Sequence, residues 1–214
     1  MDGTTLTQEP NFGSSVKVDG FAVASDHAFF IAVDYSASTT NVYEYLSGSW
    51  SSIGQVDSII FSMWASLDRI VLAGQSAVYV RQGASDFVPI AGAPAGDYAK
   101  VWGFGSAEIW AGNHAGQLVH YDGTAWSAMQ ASQNGSGVTQ LWGIDGQLYF
   151  ATLGEFGRWN GTALALLTSH LYVTSIWGRS NSEVFLTVQD PTFAQYKCGE
   201  SFVLWFDGSQ FHQF

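Results

Sequence analysis

Cysteine is almost absent: Cys198 stands alone among 214 residues, which excludes an internal disulfide and a thiolate metal cluster. A catalytic thiol would need a supporting base, so Cys198 reads as a buried or half-exposed thiol. Basic residues are scarce too. Seven Lys and Arg face 18 Asp and Glu, for a net charge of −11, and the basic residues are scattered. Nucleic acid and an anionic membrane surface are therefore poor partners. No apolar run is long enough to span a bilayer, so membrane insertion is not expected. The start, Met1-Asp2-Gly3, lacks the basic and apolar segments of a signal peptide; an exported protein would have lost its signal. The five histidines, His27, His114, His120, His170 and His212, include no close-spaced ligand pair, and no compact oxygen-ligand loop for calcium occurs. No metal and no cofactor are expected. No window has a helical period with caps at both ends.

What the chain has is a repeat. Its clearest copy runs Val101-Trp102-Gly103, then Glu108-Ile109-Trp110-Ala111-Gly112, then Gly116 through Trp126 as Gly-Gln-Leu-Val-His-Tyr-Asp-Gly-Thr-Ala-Trp. The Trp-Gly pair returns at Trp142-Gly143 and Trp177-Gly178, with Trp64-Ala65 before them and Val23-Ala24 in the same place in the first block. From Val23 to Trp64, Trp102, Trp142 and Trp177 the steps are 41, 38, 40 and 35 residues, the range of propeller or solenoid repeats. A closing turn also recurs: Ser47-Gly48, Gln82-Gly83, Asp122-Gly123, Asn160-Gly161 and Asp207-Gly208.

Within a block the pattern alternates with period two and is rich in aromatic and β-branched residues. The fourth block reads as strands over 138–142, 147–151, 156–159 and 163–167, with Asp145-Gly146 and Asn160-Gly161 as turns that tolerate positive φ. Four short strands per repeat predict an all-β fold, a β-propeller of five four-stranded blades near 17–50, 58–91, 97–130, 138–168 and 172–214. The repeated Trp is expected to fill the gap between neighbouring blades. Residues 1–10 resemble a blade's outer strand and would close the ring beside the last blade, because an open array leaves edges and apolar faces exposed. A longer array is the alternative. A monomer is expected.

These residues resemble the Trp-Gly, Val-Trp-Ala-x-Gly, Leu-x-His-Tyr-Asp-Gly-x-x-Trp repeats of secreted or surface-attached bacterial β-propeller proteins. The resemblance covers nearly the whole chain, close in the third block and fading in the first. It implies an extracellular or envelope location and a binding or adhesion role, and it carries no catalytic residue. Asp122-Gly123-Thr124-Ala125-Trp126 lacks the spacer of a sialidase Asp box.

A ligand site is expected where the blocks differ, in the loops between second and third strands. Two of these read as enlarged, 34–41 and 189–200, and would rise as a wall between adjoining blades five and one. The wall offers Tyr35, Phe193 and Tyr196 with Asp34, Asp190 and Lys197; the matching loop of block three offers Asn113 and His114. Rings beside carboxylates and amides suit a carbohydrate, with a protein partner as the second reading and a structural spacer as the third. A glycoside hydrolase would need two carboxylates at the channel. Asp19, Asp57 and Asp97 are the candidates, but their unequal offsets within the blocks argue for ordinary turn aspartates.

Overall fold

The computed structural model describes residues 15–189 and 201–213. The regular structure within them is all β, and no helix there is long and apolar enough to cross a membrane. The first antiparallel meander comprises β1 (Val16–Ala24), β2 (His27–Asp34), β3 (Thr39–Leu46) and β4 (Ser49–Val56). The second comprises β5 (Ile60–Ala65), β6 (Ile70–Gly74), β7 (Val78–Gln82) and β8 (Asp86–Pro89). One parallel bridge, Gln55 to Asp86, joins their outer strands into an eight-stranded sheet. The third meander is a separate sheet of β9 (Tyr98–Gly105), β10 (Glu108–Asn113), β11 (Gln117–Tyr121) and β12 (Trp126–Gln130).

The remaining sheet has six strands: β13 (Val138–Ile144), β14 (Gln147–Trp159), β15 (Leu164–Ser180), β16 (Glu183–Gln189), β17 (Ser201–Phe206) and β18 (Phe211–Gln213). Two of these are folded back on themselves. The rings of Tyr149 and Phe156 stack at 6.0 Å, whereas seven residues of straight strand span roughly 23 Å. The chain therefore reverses inside β14, around Gly154 at φ 98°. In β15, Leu164–Thr168 pair with the end of β14 and Val173–Ser180 pair with β16. His170, at φ 68°, lies between the two halves. The six strands thus hold a fourth and a fifth meander.

Among the described residues, apolar side chains gather in four cores, and each lies between consecutive meanders. Phe29 and Ile31 of the first pack with Met63 and Leu72 of the second. Val71 and Ala73 pack with Val101 and Ile109 of the third. Trp110 and Leu118 meet Leu141 and Phe150 of the fourth. Trp142 and Tyr149 meet Ile176 and Leu186 of the fifth. The inner strands follow the same order, β5 against β1 and β9, then β13 against β9 and β15.

The Trp-Gly pair is explained by this stacking. A Cβ on Gly103 would lie 2.8 Å from the ring of Trp64, one on Gly143 2.6 Å from Nε1 of Trp102, and one on Gly178 2.8 Å from Trp142. Each Trp reaches forward onto the glycine of the next inner strand, and only a residue without a Cβ admits the ring so closely.

The first block departs from the sequence reading. Ala22 packs toward the second meander while Val23 is 60% exposed on the opposite face. The counterpart of Trp64-Ala65 is therefore Ala22-Val23, not Val23-Ala24. The β1–β2 hairpin runs on to an Ala24–His27 pair, whereas the β5–β6 hairpin ends at Ala65–Ile70, so distance from the turn misleads. The enlarged loop 34–41 is also smaller than expected. Asp34 pairs with Thr39, and the extra residues lengthen β2 and β3 instead.

No core among the described residues joins the fifth meander to the first. Val18, Phe21 and Val23 are exposed on the free face of the first, and Trp177 (52%) and Val203 on the fifth. Residues 1–10, read as the closing strand, lie outside the described residues, as do Asp190, Phe193, Tyr196, Lys197 and Cys198.

Candidate functional site

In each antiparallel meander the turn between strands two and three and the link to the next meander share one end. The segments there carry most of the residues singled out from sequence. Asp34 closes its own turn: its Oδ1 accepts from the Ser36 N–H at 2.9 Å, the Ser36 hydroxyl at 2.7 Å and the Ala37 N–H at 3.2 Å. These bonds hold its carboxyl below the usual carboxylate range. Tyr35, 41% exposed, donates its hydroxyl to Asp19, with the Lys17 amine 5.5 Å from its ring centre. The Asp19 carboxylate pushes the phenol up to about 12.

In the third meander, Asn113 is turned inward. Its Oδ1 takes the Ala115 and Gln117 N–H groups at 3.0 and 2.9 Å, and its Nδ2 donates to Gln117 at 3.0 Å. This buried amide shapes the turn. His114 is exposed with its ring edge on Phe61 at 5.9 Å, and its N–H donates to the Asp97 carbonyl. The Asp97 carboxylate accepts the Ser76 N–H at 3.1 Å. Asp57 is exposed on the β4–β5 link. The three carboxylates considered for hydrolysis thus have unlike surroundings: a tyrosine for Asp19, a backbone turn for Asp97 and open solvent for Asp57. Among the described residues no group of three His, Cys, Asp or Glu side chains could hold a metal.

Among the described residues, a cavity at this end lies between the fourth and fifth meanders. It encloses about 350 Å³ and is lined by Asn134, Leu153, Gly154, Glu155, Ser169, His170 and Tyr172. Its floor is fixed by Glu155, a buried carboxylate. Glu155 accepts the Ser132 and Thr152 hydroxyls at 3.0 Å each and the Gln133 N–H at 3.2 Å, so the β12–β13 link is clamped to the β14 reversal. Three donors compensate the burial of that charge. Asn134 continues the clamp, donating to the Leu153 carbonyl at 3.1 Å and accepting the Ser136 N–H at 2.9 Å.

The mouth of the cavity is apolar and exposed at Leu153. His170 sits beside it in the left-handed region, where a histidine is uncommon, with Nδ1 2.9 Å from the Ser169 hydroxyl. A strained residue at the rim of a cavity is a recurring mark of a binding site. Sequence reasoning passed over this cluster. Its residues come from three segments, 132–134, 152–155 and 169–172, that share no motif, and the only hint was a lone glutamate between two turns.

No family model and no curated protein matches the chain. Solved structures do. BamB from Moraxella catarrhalis is similar at TM-score 0.60 and 12% identity, over 94% of this chain and 62% of BamB. YCF48 bound to D1 peptide is similar at TM-score 0.64 and 14% identity, over 98% of this chain and 69% of that one. The β-propeller domain of Myceliophteria thermophila Cps50 (Swd1) is similar at TM-score 0.66 and 8% identity, over 91% of this chain and 72% of that one. The chain spans less than two thirds of the BamB length. Its sheets, stacked face to face through the Trp-on-Gly contacts, have the β-propeller fold.

Proposed function

We propose that the chain is a five-bladed propeller module that binds a protein or peptide at the end carrying the Glu155 cavity. The observation that carries this reading is the cavity itself: a floor held rigid by a buried, fully bonded carboxylate, beneath a mouth formed by Leu153, His170 and Tyr172. A rigid polar floor with an apolar rim suits an extended peptide, which offers side chains to the rim and backbone groups to the floor. YCF48, a structural neighbour, is solved with a peptide bound, which supports a peptide over a sugar. The blade count rests on the five meanders. The surface or envelope location rests on the resemblance of the repeats to those of secreted and surface-attached bacterial proteins.

The test is a peptide-display selection on the purified protein, followed by affinity measurement on variants. Leu153→Lys and Tyr172→Ala are expected to weaken the selected peptides by tenfold or more, while Phe21→Ser on the first blade leaves them unchanged. Selected peptides that bind both cavity variants as well as the parent would overturn the site. A glycan array with reproducible, sugar-competed binding would overturn the choice of peptide.

A further inference from the structure

A second cavity lies at the opposite end of the meanders, among the turns that join first to second and third to fourth strands. It encloses about 290 Å³ between the first and second meanders, and its lining includes His27, Phe29, Glu44, Arg69, Ile70 and Arg81. Two of the chain's seven Lys and Arg residues therefore share one cavity in a molecule of net charge −11.

Neither arginine is spent on a carboxylate: among the described residues no ion pair within 4.0 Å involves Arg69 or Arg81. Each is anchored by a backbone carbonyl instead. Arg69 donates Nη1 to Ser106 of the third meander, and Arg81 donates Nη2 to Ala84 at 2.5 Å. One edge of each guanidinium is thus fixed by a neutral carbonyl, and Arg69 acts on the neighbouring Asp68 carboxylate without an ion pair within 4.0 Å. The two wall carboxylates are already engaged, Glu44 with His27 Nδ1 at 2.7 Å and Asp68 with the Ser66 hydroxyl at 2.7 Å. Phe29, Ile70 and the exposed Leu67 give the cavity an apolar side.

We infer that this cavity is a carboxylate-binding site, with Arg69 and Arg81 as the anion-holding pair and Phe29, Leu67 and Ile70 as the contact for the acid's carbon chain. A planar guanidinium held at one edge offers two parallel N–H donors at another, the geometry that matches a carboxylate. The volume exceeds what a bare ion fills, which points to a carboxylate carried on several carbons. That chemistry belongs equally to a free dicarboxylic acid and to a glutamate side chain in a polypeptide.

The test uses the whole chain, titrated by calorimetry and thermal unfolding with glutarate and with the capped peptide acetyl-Gly-Gly-Glu-Gly-Gly-amide, at ionic strength held constant with sodium chloride. Saturable binding of either probe, with a matching rise in Tm, is expected. Arg69→Gln and Arg81→Gln should each weaken it by roughly 10- to 100-fold, the range for losing a charge-assisted hydrogen bond. Arg179→Gln, outside the cavity, should leave it unchanged. Arg81→Lys keeps the charge and loses the fork, so a folded Arg81→Lys protein with weakened binding separates recognition from stability. Preference for glutarate identifies a free acid as the source, and preference for the peptide identifies a polypeptide. No saturable binding of either probe, or binding that survives both arginine-to-glutamine changes, would overturn the assignment.

Discussion

Trp102 lies across Gly143 of the next inner strand, so closely that a Cβ there would meet its Nε1 at 2.6 Å and Phe104 at 2.4 Å. The same forward reach joins Trp64 to Gly103 and Trp142 to Gly178. One contact thus recurs at three of the four described interfaces between consecutive meanders.

That contact makes a sharp prediction. Gly143→Ala should destabilise the protein by ~1–3 kcal/mol, since the added methyl has no room and the packed rings must shift. Gly105→Ala, where a Cβ would meet nothing within 4 Å, should be neutral or slightly stabilising. Urea unfolding of the two variants beside the parent makes the comparison; equal stability of Gly143→Ala and the parent would refute tight seating of the ring.

Asp122 gives an acid-sensitive turn. Its Oδ1 accepts from the Thr124 N–H, the Thr124 hydroxyl and the Ala125 N–H at 2.9, 2.7 and 2.8 Å. The backbone bond from Ala125 is the largest of the effects that lower its carboxyl from 3.8 to about 2. A depressed carboxylate stabilises the fold above its unfolded value and loses that contribution as pH falls through its folded value. The stability gap between the parent and Asp122→Asn should thus be constant above pH 5 and narrow from about pH 4 to pH 2. Thermal unfolding across that range reads it out.

His120 should respond nearer neutrality. Its ring stacks on the buried Trp110 at 4.1 Å, and burial lowers its pKa from 6.5. A lowered histidine favours the neutral form in the folded state, so the unfolded chain takes up the proton first as pH drops. Stability should be full above pH 6.5 and fall below it. His120→Phe should remove that part of the slope between pH 7.5 and 5; an unchanged slope would exclude His120 as the cause.

Glu155→Ala should cost ~1–3 kcal/mol for each buried donor it orphans among Ser132, Thr152 and Gln133. Glu155→Gln retains an acceptor and should lose less. If the cavity floor positions a peptide, Glu155→Gln should weaken peptides obtained by selection on the parent even where its Tm is close to the parent's.

The all-β meanders were legible because alternation, Asp-Gly and Asn-Gly turns and the spacing of Trp102, Trp142 and Trp177 are local signals that survive in one sequence. Asp145 and Gly146, with φ 50° and 73°, have the backbone that such a hairpin turn demands. The first block was misread by one residue because it has no Trp to mark the forward-facing position. The Glu155 cavity and the Arg69–Arg81 pair were not legible. Both are made by turns of neighbouring meanders, and their residues meet only once the sheets have stacked.

The turn at Asn160-Gly161 has a consequence for how the molecule ages. In an Asn-Gly pair the glycine nitrogen can attack the side-chain amide carbon and expel ammonia, and water then opens the succinimide to aspartate or isoaspartate. The Asn160 Oδ1 is held by the Thr162 N–H and hydroxyl and by the Ala163 N–H at 3.1, 2.9 and 3.0 Å, which restrains the carbon from that attack. The same three kinds of donor surround Asp207, from Ser209 and Gln210. Deamidation of Asn160 to ordinary aspartate would therefore be silent in the structure. The isoaspartate product, with its extra methylene in the main chain, would break the hairpin.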